Sequence, residues 1–342
     1  QESAQALRRL LRDQERWDEL ADLLRDQIRL TADPDRSLEL KLELADVLYA
    51  ELQEPVSALD TYREILNVEP GYEPAVEALD EMFGRESDLR GDIADMLEPV
   101  YRSNEDYDGL VDVLKAKGED APAPADGVPF LEEAARIAED ELDDPLRAYE
   151  IYSKLLLHRP DDQSVRTALQ RLAAPLDRWR RLVDQYDEVL TESLEVDDRL
   201  RAELLLEQGR LWETRIDDLP EARQAYRDAL MHDVDSRDAV DALERVLSRQ
   251  EAWLDLADLY RDRADLADEP DDAKMWYERL ATLYEEVIGD LDETIDVYNR
   301  MYDLDPEDRS IQRTLERLYG HAHRWHDLAD LFRRRIEQTL DP

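Results

Sequence analysis

The chain has 342 residues, of which 39% are charged and 42% apolar, and its formal net charge is −44. The apolar share allows a continuous core, which a disordered acidic tail would lack. The absence of cysteine excludes disulfides, thiolate metal sites and a cysteine nucleophile.

Helices are predicted from the first residues onward. Residues 1–11 have the period of an amphipathic helix, and residues 16–23 start a second helix around Trp17. A closely similar string, residues 324–331, lies near the other end of the chain. No alternating Val/Ile/Thr pattern is long enough for a sheet. The sequence also has no run of about 18 apolar residues, the length that a membrane-spanning helix needs. The predicted class is therefore all-α.

Marker residues recur along the chain and predict a repeat architecture. The small residues Ala45, Ala135, Gly209 and Ala281 have spacings of 90, 74 and 72 residues. The same spacings separate the tyrosines Tyr62, Tyr152, Tyr226 and Tyr298. A third set of aromatic residues opens a helix in each repeat: Trp17, Tyr107, Trp179, Trp253 and Trp325. We interpret each repeat as four helices whose apolar residues recur at three and four positions.

The longer first interval predicts one inserted helix near residues 88–102, interrupted at Pro99. Shortly after it, residues 119–127 are rich in Pro, Ala and Gly and predict a flexible loop. Residues 1–118 and 128–342 would then be the N-terminal and C-terminal repeats of one continuous array. Because neither end shows a polar capping helix, we expect a segment of a longer array.

The marker order resembles the tetratricopeptide repeat: in the last repeat it is Leu280-Ala281, Tyr284, Thr294, Tyr298 and Pro306. The resemblance implies an alpha-alpha superhelix, a tetratricopeptide-like solenoid of about 19 antiparallel helices. One extra residue in the turn between paired helices departs from the family pattern. Recurring Arg-Trp-x-x-Leu strings and Leu97-Glu98-Pro99 also resemble long arrays of GC-rich bacteria such as myxobacteria.

Catalytic and cofactor signatures are not found, so no enzyme, no cofactor and no metal site is predicted. The sequence has no Gly-rich phosphate loop and no Gly-x-Ser-x-Gly. His321, His323 and His326 lie at a helix junction without a metal-binding motif. An EF-hand loop starting at Asp33 fails because its sixth and twelfth places are leucine. The recurring Trp and Tyr side chains are interpreted as packing residues.

The resemblance implies that the first helix of each pair lines a concave face that binds a partner. The residues it selects by similarity are Glu43, Asp46, Tyr49, Glu132, Arg136, Glu139, Leu206, Arg210, Glu213, Glu278, Thr282 and Glu285. Most are acidic, which favours a protein partner with a basic segment over nucleic acid or an anionic membrane. The predicted function is a protein–protein interaction scaffold.

Two alternatives to this scaffold stay open from the sequence. One is a structural spacer or self-assembling segment of a large bacterial motility or envelope machine. The other is an acidic decoy that mimics nucleic acid for basic proteins. The charge also fits solubility or a salty cytoplasm, and the lack of cysteine fits a reducing cytoplasmic location.

Overall fold

A computed structural model describes residues 2–192 and 196–340, so the predicted limits at residues 1 and 342 lie outside it. The described residues contain nineteen α-helices and no strand, which confirms the all-α class and the expected helix number. Among these residues no helix is long and apolar enough to cross a membrane. The chain divides into two compact units, Gln1–Ser193 (unit 1) and Leu194–Pro342 (unit 2).

Unit 1 consists of antiparallel helices in which sequence neighbours pack together. They are α1 (Glu2–Asp13), α2 (Trp17–Leu30), α3 (Pro34–Asp46), α4 (Pro55–Val68), α5 (Glu73–Arg85), α6 (Arg90–Asn104), α7 (Tyr107–Glu119), α8 (Pro124–Asp140), α9 (Pro145–His158), α10 (Gln163–Leu176) and α11 (Trp179–Glu192).

Unit 2 is built in the same way from two four-helix repeats. Its helices are α12 (Asp198–Leu211), α13 (Leu219–His232), α14 (Arg237–Arg249), α15 (Trp253–Leu266), α16 (Pro270–Thr282), α17 (Leu291–Leu304), α18 (Arg309–His321) and α19 (Trp325–Leu340). The first helices of the four repeats are therefore α3, α8, α12 and α16, and the third helices are α5, α10, α14 and α18.

The extra residue in each first turn widens the end of the first helix. Three first helices continue into π-helical segments, Val47–Glu51, Trp212–Ile216 and Leu283–Ile288. In all four repeats a backbone N–H then donates to the carbonyl six residues earlier: Glu54 to Leu48, Asp144 to Ala138, Asp218 to Trp212 and Asp290 to Tyr284. This wide turn satisfies carbonyls that the helix end leaves free.

Each wide turn closes on a residue with positive φ. These residues are Gln53, Asp143, Asp217 and Gly289. Because a left-handed conformation favours glycine, the three non-glycine positions carry a conformational cost that Gly289 avoids. The next aspartates, Asp144, Asp218 and Asp290, cap the second helix by accepting backbone N–H bonds.

The segment around the expected loop differs from the prediction. α7 continues through Glu119 and α8 starts at Pro124, so the connection is only residues 120–123 and not residues 119–127. Pro124 suits the first turn of a helix, where its missing N–H costs nothing. A Cβ on Gly127 would clash with the Gly118 carbonyl oxygen, so the two glycines allow α7 and α8 to touch. The boundary between the two compact units falls between residues 193 and 194, away from this connection.

The expected inserted segment forms α6, which runs through Pro99 without ending there. The aromatic markers contribute unequally to packing. Tyr62 and Tyr226 are fully buried, whereas Trp325 is 61% exposed. Tyr152 and Tyr298 are half-buried, so in each unit one recurring tyrosine is fully enclosed and the other is not.

Candidate functional site

The first and third helices of three repeats are joined by an ion pair at one register. A glutamate on the first helix contacts an arginine 32 residues later: Glu139 with Arg171 at 2.5 Å, Glu213 with Arg245 at 2.7 Å, and Glu285 with Arg317 at 2.7 Å. Three of the predicted binding residues therefore make contacts within the chain. Their carboxylates are already paired with arginines of the same chain.

Glu213 is the most enclosed of these carboxylates, with its side chain 4% exposed. Arg245 donates from Nε at 2.7 Å and from Nη2 at 2.8 Å, and the Tyr226 hydroxyl donates at 2.9 Å. The hydrogen bonds from Arg245 hold the pKa of Glu213 below its usual value. The prediction that Glu213 contacts a partner is corrected, because its oxygens are buried and already bonded.

Two further predicted residues lie beside Glu213 on α12. Arg210 is exposed and contacts Asp238 of α14 at 2.9 Å. Leu206 is half-buried and packs against the hydrophobic core of unit 2. We therefore correct Leu206 to a packing residue, while Arg210 keeps an accessible guanidinium.

The second and fourth repeats present more accessible side chains. Glu132 is exposed and contacts Arg159 at 3.1 Å, and Arg136 is exposed on the same helix. On α16, Glu278 and Thr282 are exposed, and the Thr282 hydroxyl donates to the Glu278 carbonyl oxygen at 2.9 Å. These positions are open to solvent.

In the first repeat, Glu43 lies between two arginines of α1. Arg8 donates to one of its oxygens, and Arg12 lies 2.8 Å from the other. Its charge is therefore compensated inside unit 1. Glu43 is half-buried, which makes it a link between α1 and α3.

Asp46 and Tyr49 are the two predicted residues that the structure brings into a cleft. The cleft has a volume of about 750 Å³ and lies between the end of α3 and α5. Besides these two residues, its charged lining is Glu81, Arg85 and Glu86. Three carboxylates therefore face one guanidinium, and the cleft carries net negative charge.

Hydrogen bonds fix the walls of this cleft. The Tyr62 hydroxyl donates to Asp46 at 2.9 Å, and the Tyr49 hydroxyl donates to Glu86 at 3.2 Å. Arg85 lies 2.7 Å from Glu81 on the same helix. Burial raises the pKa of Asp46 above that of an ordinary aspartate, although the bond from Tyr62 opposes this.

The cleft occupies the register at which the other repeats carry their ion pair. Tyr49 stands where the others have glutamate, and Glu81 stands where they have Arg171, Arg245 and Arg317. The first repeat therefore lacks an arginine at this position, and the cation beside Glu81 is Arg85, one turn further along α5. Glu81 and Glu86 were not among the predicted residues, although the charge reversal at position 81 is visible when the repeats are aligned by their tyrosines.

No family model matches the chain, and no curated protein matches it. Among residues 2–192 and 196–340, no cluster of three or more metal-ligating side chains is present.

Solved structures with similar folds share little sequence with the chain. The tetratricopeptide-repeat domain of P58(IPK) is 14% identical over 97% of this chain and 91% of its own, with a TM-score of 0.28. A tetratricopeptide repeat protein from Parabacteroides merdae is 11% identical over 83% of this chain and 99% of its own, with a TM-score of 0.26. A chain of the Naa15/Naa10 complex bound to HypK-THB is 14% identical, with a TM-score of 0.34.

The matched region covers 92% of this chain but 44% of the Naa15/Naa10 chain, so the chain spans less than half of that relative's length. At such TM-scores the structures overlap only in part, and the fold assignment rests on the chain's own paired helices. Within each of the two units, the described residues form an all-α set of antiparallel helices that pack in sequence order.

Proposed function

We propose that the chain is a protein–protein interaction scaffold and that the cleft of the first repeat receives a basic side chain of its partner. The observation that carries this proposal is the replacement of the recurring arginine by Glu81. In the other repeats an arginine of the chain occupies this register, and here a partner's Arg or Lys would supply a second cation beside Arg85.

The chemistry of the cleft suits a guanidinium or ammonium group. Asp46, Glu81 and Glu86 offer carboxylate oxygens, and the Tyr49 ring offers a face on which a cation can lie. Arg85 neutralises only one of the three carboxylates. Because the groups are partly exposed, the interaction should weaken as salt increases.

The net charge of −44 supports the same class of partner, since it attracts basic segments over a distance and repels phosphates. Glu278, an exposed predicted acid, would add long-range attraction, whereas Glu132 and Glu285 are already paired with Arg159 and Arg317. We also propose that the protein binds its partner in the cytoplasm of a bacterium.

The test compares two charge reversals on the same helix. Glu81 lines the cleft, whereas Glu77 is exposed on α5 outside it. The probe is an unstructured, fluorescently labelled Gly-Ser-Arg peptide, and its dissociation constant is measured by anisotropy. Glu81→Arg should weaken binding severalfold more than Glu77→Arg, although both change the net charge equally.

Equal weakening by the two variants would contradict the proposal, because it would mean that the peptide responds only to net charge. The tetratricopeptide-like helices of both variants should be intact, which circular dichroism checks. Repeating the titration at higher salt should reduce the difference between the variants.

A further inference from the structure

A second groove lies in unit 2, between α13 and α15, and has a volume of about 750 Å³. Its floor is apolar, with Leu243 and Leu247 of α14 at the base. Three further apolar side chains of its lining are open to solvent: Met231 is 70%, Val234 41% and Leu266 56% exposed. Several such side chains around one groove are typical of an interaction site.

Aspartates line the α15 side of this groove at spacings of three and four residues. They are Asp255, Asp258, Asp262 and Asp265. This spacing places them on one face of the helix, beside the exposed apolar side chains. Asp228 of α13 adds a carboxylate on the opposite side.

The two arginines that line the groove neutralise only one of these carboxylates. Arg227 contacts Asp255 at 2.7 Å. Arg263 donates instead to the backbone carbonyl of Val234. The groove's own cations are therefore outnumbered by the carboxylates of its rim.

Arginines outside the groove lining reach two more of the aspartates. Asp258 pairs with Arg261 at 3.3 Å, and Asp265 pairs with Arg300 at 3.5 Å. Within the described part of the chain, no Lys or Arg lies within 4.0 Å of the two remaining acids, Asp228 and Asp262. The groove therefore combines an apolar floor with uncompensated negative charge at its edge.

We propose that this groove docks an amphipathic, basic helix of a partner protein. The apolar face of such a helix would cover Met231, Val234 and Leu266, and its Lys or Arg side chains would pair with the aspartates of the rim. Two helices that flank a groove offer ridges between which a third helix packs. This groove shares no lining residue with the cleft of the first repeat.

A related groove in unit 1 provides an internal control. It lies between α4 and α6, has a volume of about 450 Å³, and includes Asn67 and Pro70. These residues stand 164 residues before Met231 and Val234, at the same register of the repeat. In addition, Lys117 contacts Asp95 of its rim at 2.7 Å. The unit 1 groove is thus less apolar at these two positions, and its rim on the inserted helix α6 carries fewer carboxylates than the rim on α15.

The experiment uses the full chain and a labelled helical peptide of about 18 residues, made of Leu and Lys with leucines on one face. A second peptide has the same composition with leucines spread around the helix, and a third has Glu in place of Lys. Fluorescence anisotropy should show saturable binding of the amphipathic Leu–Lys peptide that is about tenfold tighter than that of the second peptide. Equal binding of the two Leu–Lys peptides would overturn the proposal.

Variants then locate the binding. Met231→Ser combined with Leu266→Ser should weaken binding of the amphipathic Leu–Lys peptide about tenfold. Met96→Ser in the α4–α6 groove should leave that affinity unchanged. Both targets in unit 2 are exposed, so the fold should tolerate the change. Equal effects of the two variants, or no effect of either, would overturn the assignment to this groove.

A charge exchange tests the rim separately. Asp258→Lys with Asp262→Lys should weaken the Leu–Lys peptide and allow the Leu–Glu peptide to bind. If the Leu–Glu peptide gains nothing, the aspartates do not contact the docked helix and the proposal fails. Failure here leaves the first-repeat cleft untouched, because the Gly-Ser-Arg peptide tests that site on its own.

Discussion

Glu213, in the π-helical segment that follows α12, and Arg245 of α14 form a two-point ion pair, with Nε at 2.7 Å and Nη2 at 2.8 Å from the carboxylate. The same register holds Glu285 and Arg317 in the next repeat. The Glu213 side chain is 4% exposed and that of Glu285 is 35% exposed. One recurring contact therefore exists in a buried and an open version within a single unit.

Glu213→Gln should destabilise unit 2 by roughly 2 kcal/mol, because a buried acceptor loses its charge while Arg245 loses its partner. Glu285→Gln should cost no more than about 0.5 kcal/mol, since exposed ion pairs contribute little. Amide hydrogen exchange of α14 and α18 measures the two local effects. Similar losses of protection in both variants would contradict the assigned role of burial.

The contribution of Glu213 should also depend on pH. The hydrogen bonds from Arg245 lower its pKa in the folded chain below the ordinary glutamate value of 4.5. The stabilisation is then fully present above the unfolded pKa and is lost as pH falls through the folded pKa. The stability difference between the wild type and Glu213→Gln should be constant near neutral pH and shrink below about pH 4. If the stability difference between the wild type and Glu213→Gln grew on acidification, the lowered pKa of Glu213 in the folded chain would be contradicted.

The wide turns predict opposite effects at two equivalent positions. Gly289 has φ +78°, and a Cβ added there would have no atom within 4 Å. Gly289→Ala should therefore destabilise by about 1 kcal/mol through backbone conformation alone. Asp143 has φ 49° at the same register, so Asp143→Gly should be neutral or stabilising. Thermal unfolding of the two variants should shift in different directions. Destabilisation by both would show that the turn depends on side-chain contacts.

Gly209 explains how Tyr226 reaches Glu213. A Cβ on Gly209 would lie 2.5 Å from Cε1 of the tyrosine ring, so only glycine lets the ring approach α12. Gly209→Ala should therefore destabilise unit 2 by roughly 1–3 kcal/mol through overpacking. Ala281→Gly, at the equivalent place in the next repeat, should cost only about 1 kcal/mol through helix propensity. Denaturant unfolding compares the two, and a harmless Gly209→Ala would contradict the close contact.

The period of the markers predicted the four-helix repeat and the all-α class, because buried faces and turn residues recur with the repeat. The loop at residues 119–127 was wrong in extent. Composition alone cannot show that Gly118 and Gly127 touch, since their contact depends on how two helices cross. The wide helix ends were visible in the sequence only as one extra residue per turn.

The candidate site was less predictable than the fold. Similarity selected positions on the first helices, but it could not show which carboxylates the chain neutralises itself. Glu213 looks equivalent to Glu285 in sequence but is far more buried, and it accepts hydrogen bonds from both Tyr226 and Arg245. By contrast, the reversal from arginine to Glu81 is a sequence signal, and its meaning required the contacts of the other repeats.

The most direct measurement of the central claim is a double-mutant comparison at the register of Tyr49 and Glu81. Tyr49→Glu alone should tighten binding of the Gly-Ser-Arg peptide, because it adds a carboxylate to the cleft. Adding Glu81→Arg should rebuild the ion pair of the other repeats. The double variant should then bind the peptide more weakly than the wild type does. If the double variant binds the peptide as tightly as Tyr49→Glu does, the missing arginine is not what makes this cleft a site for a partner's cation.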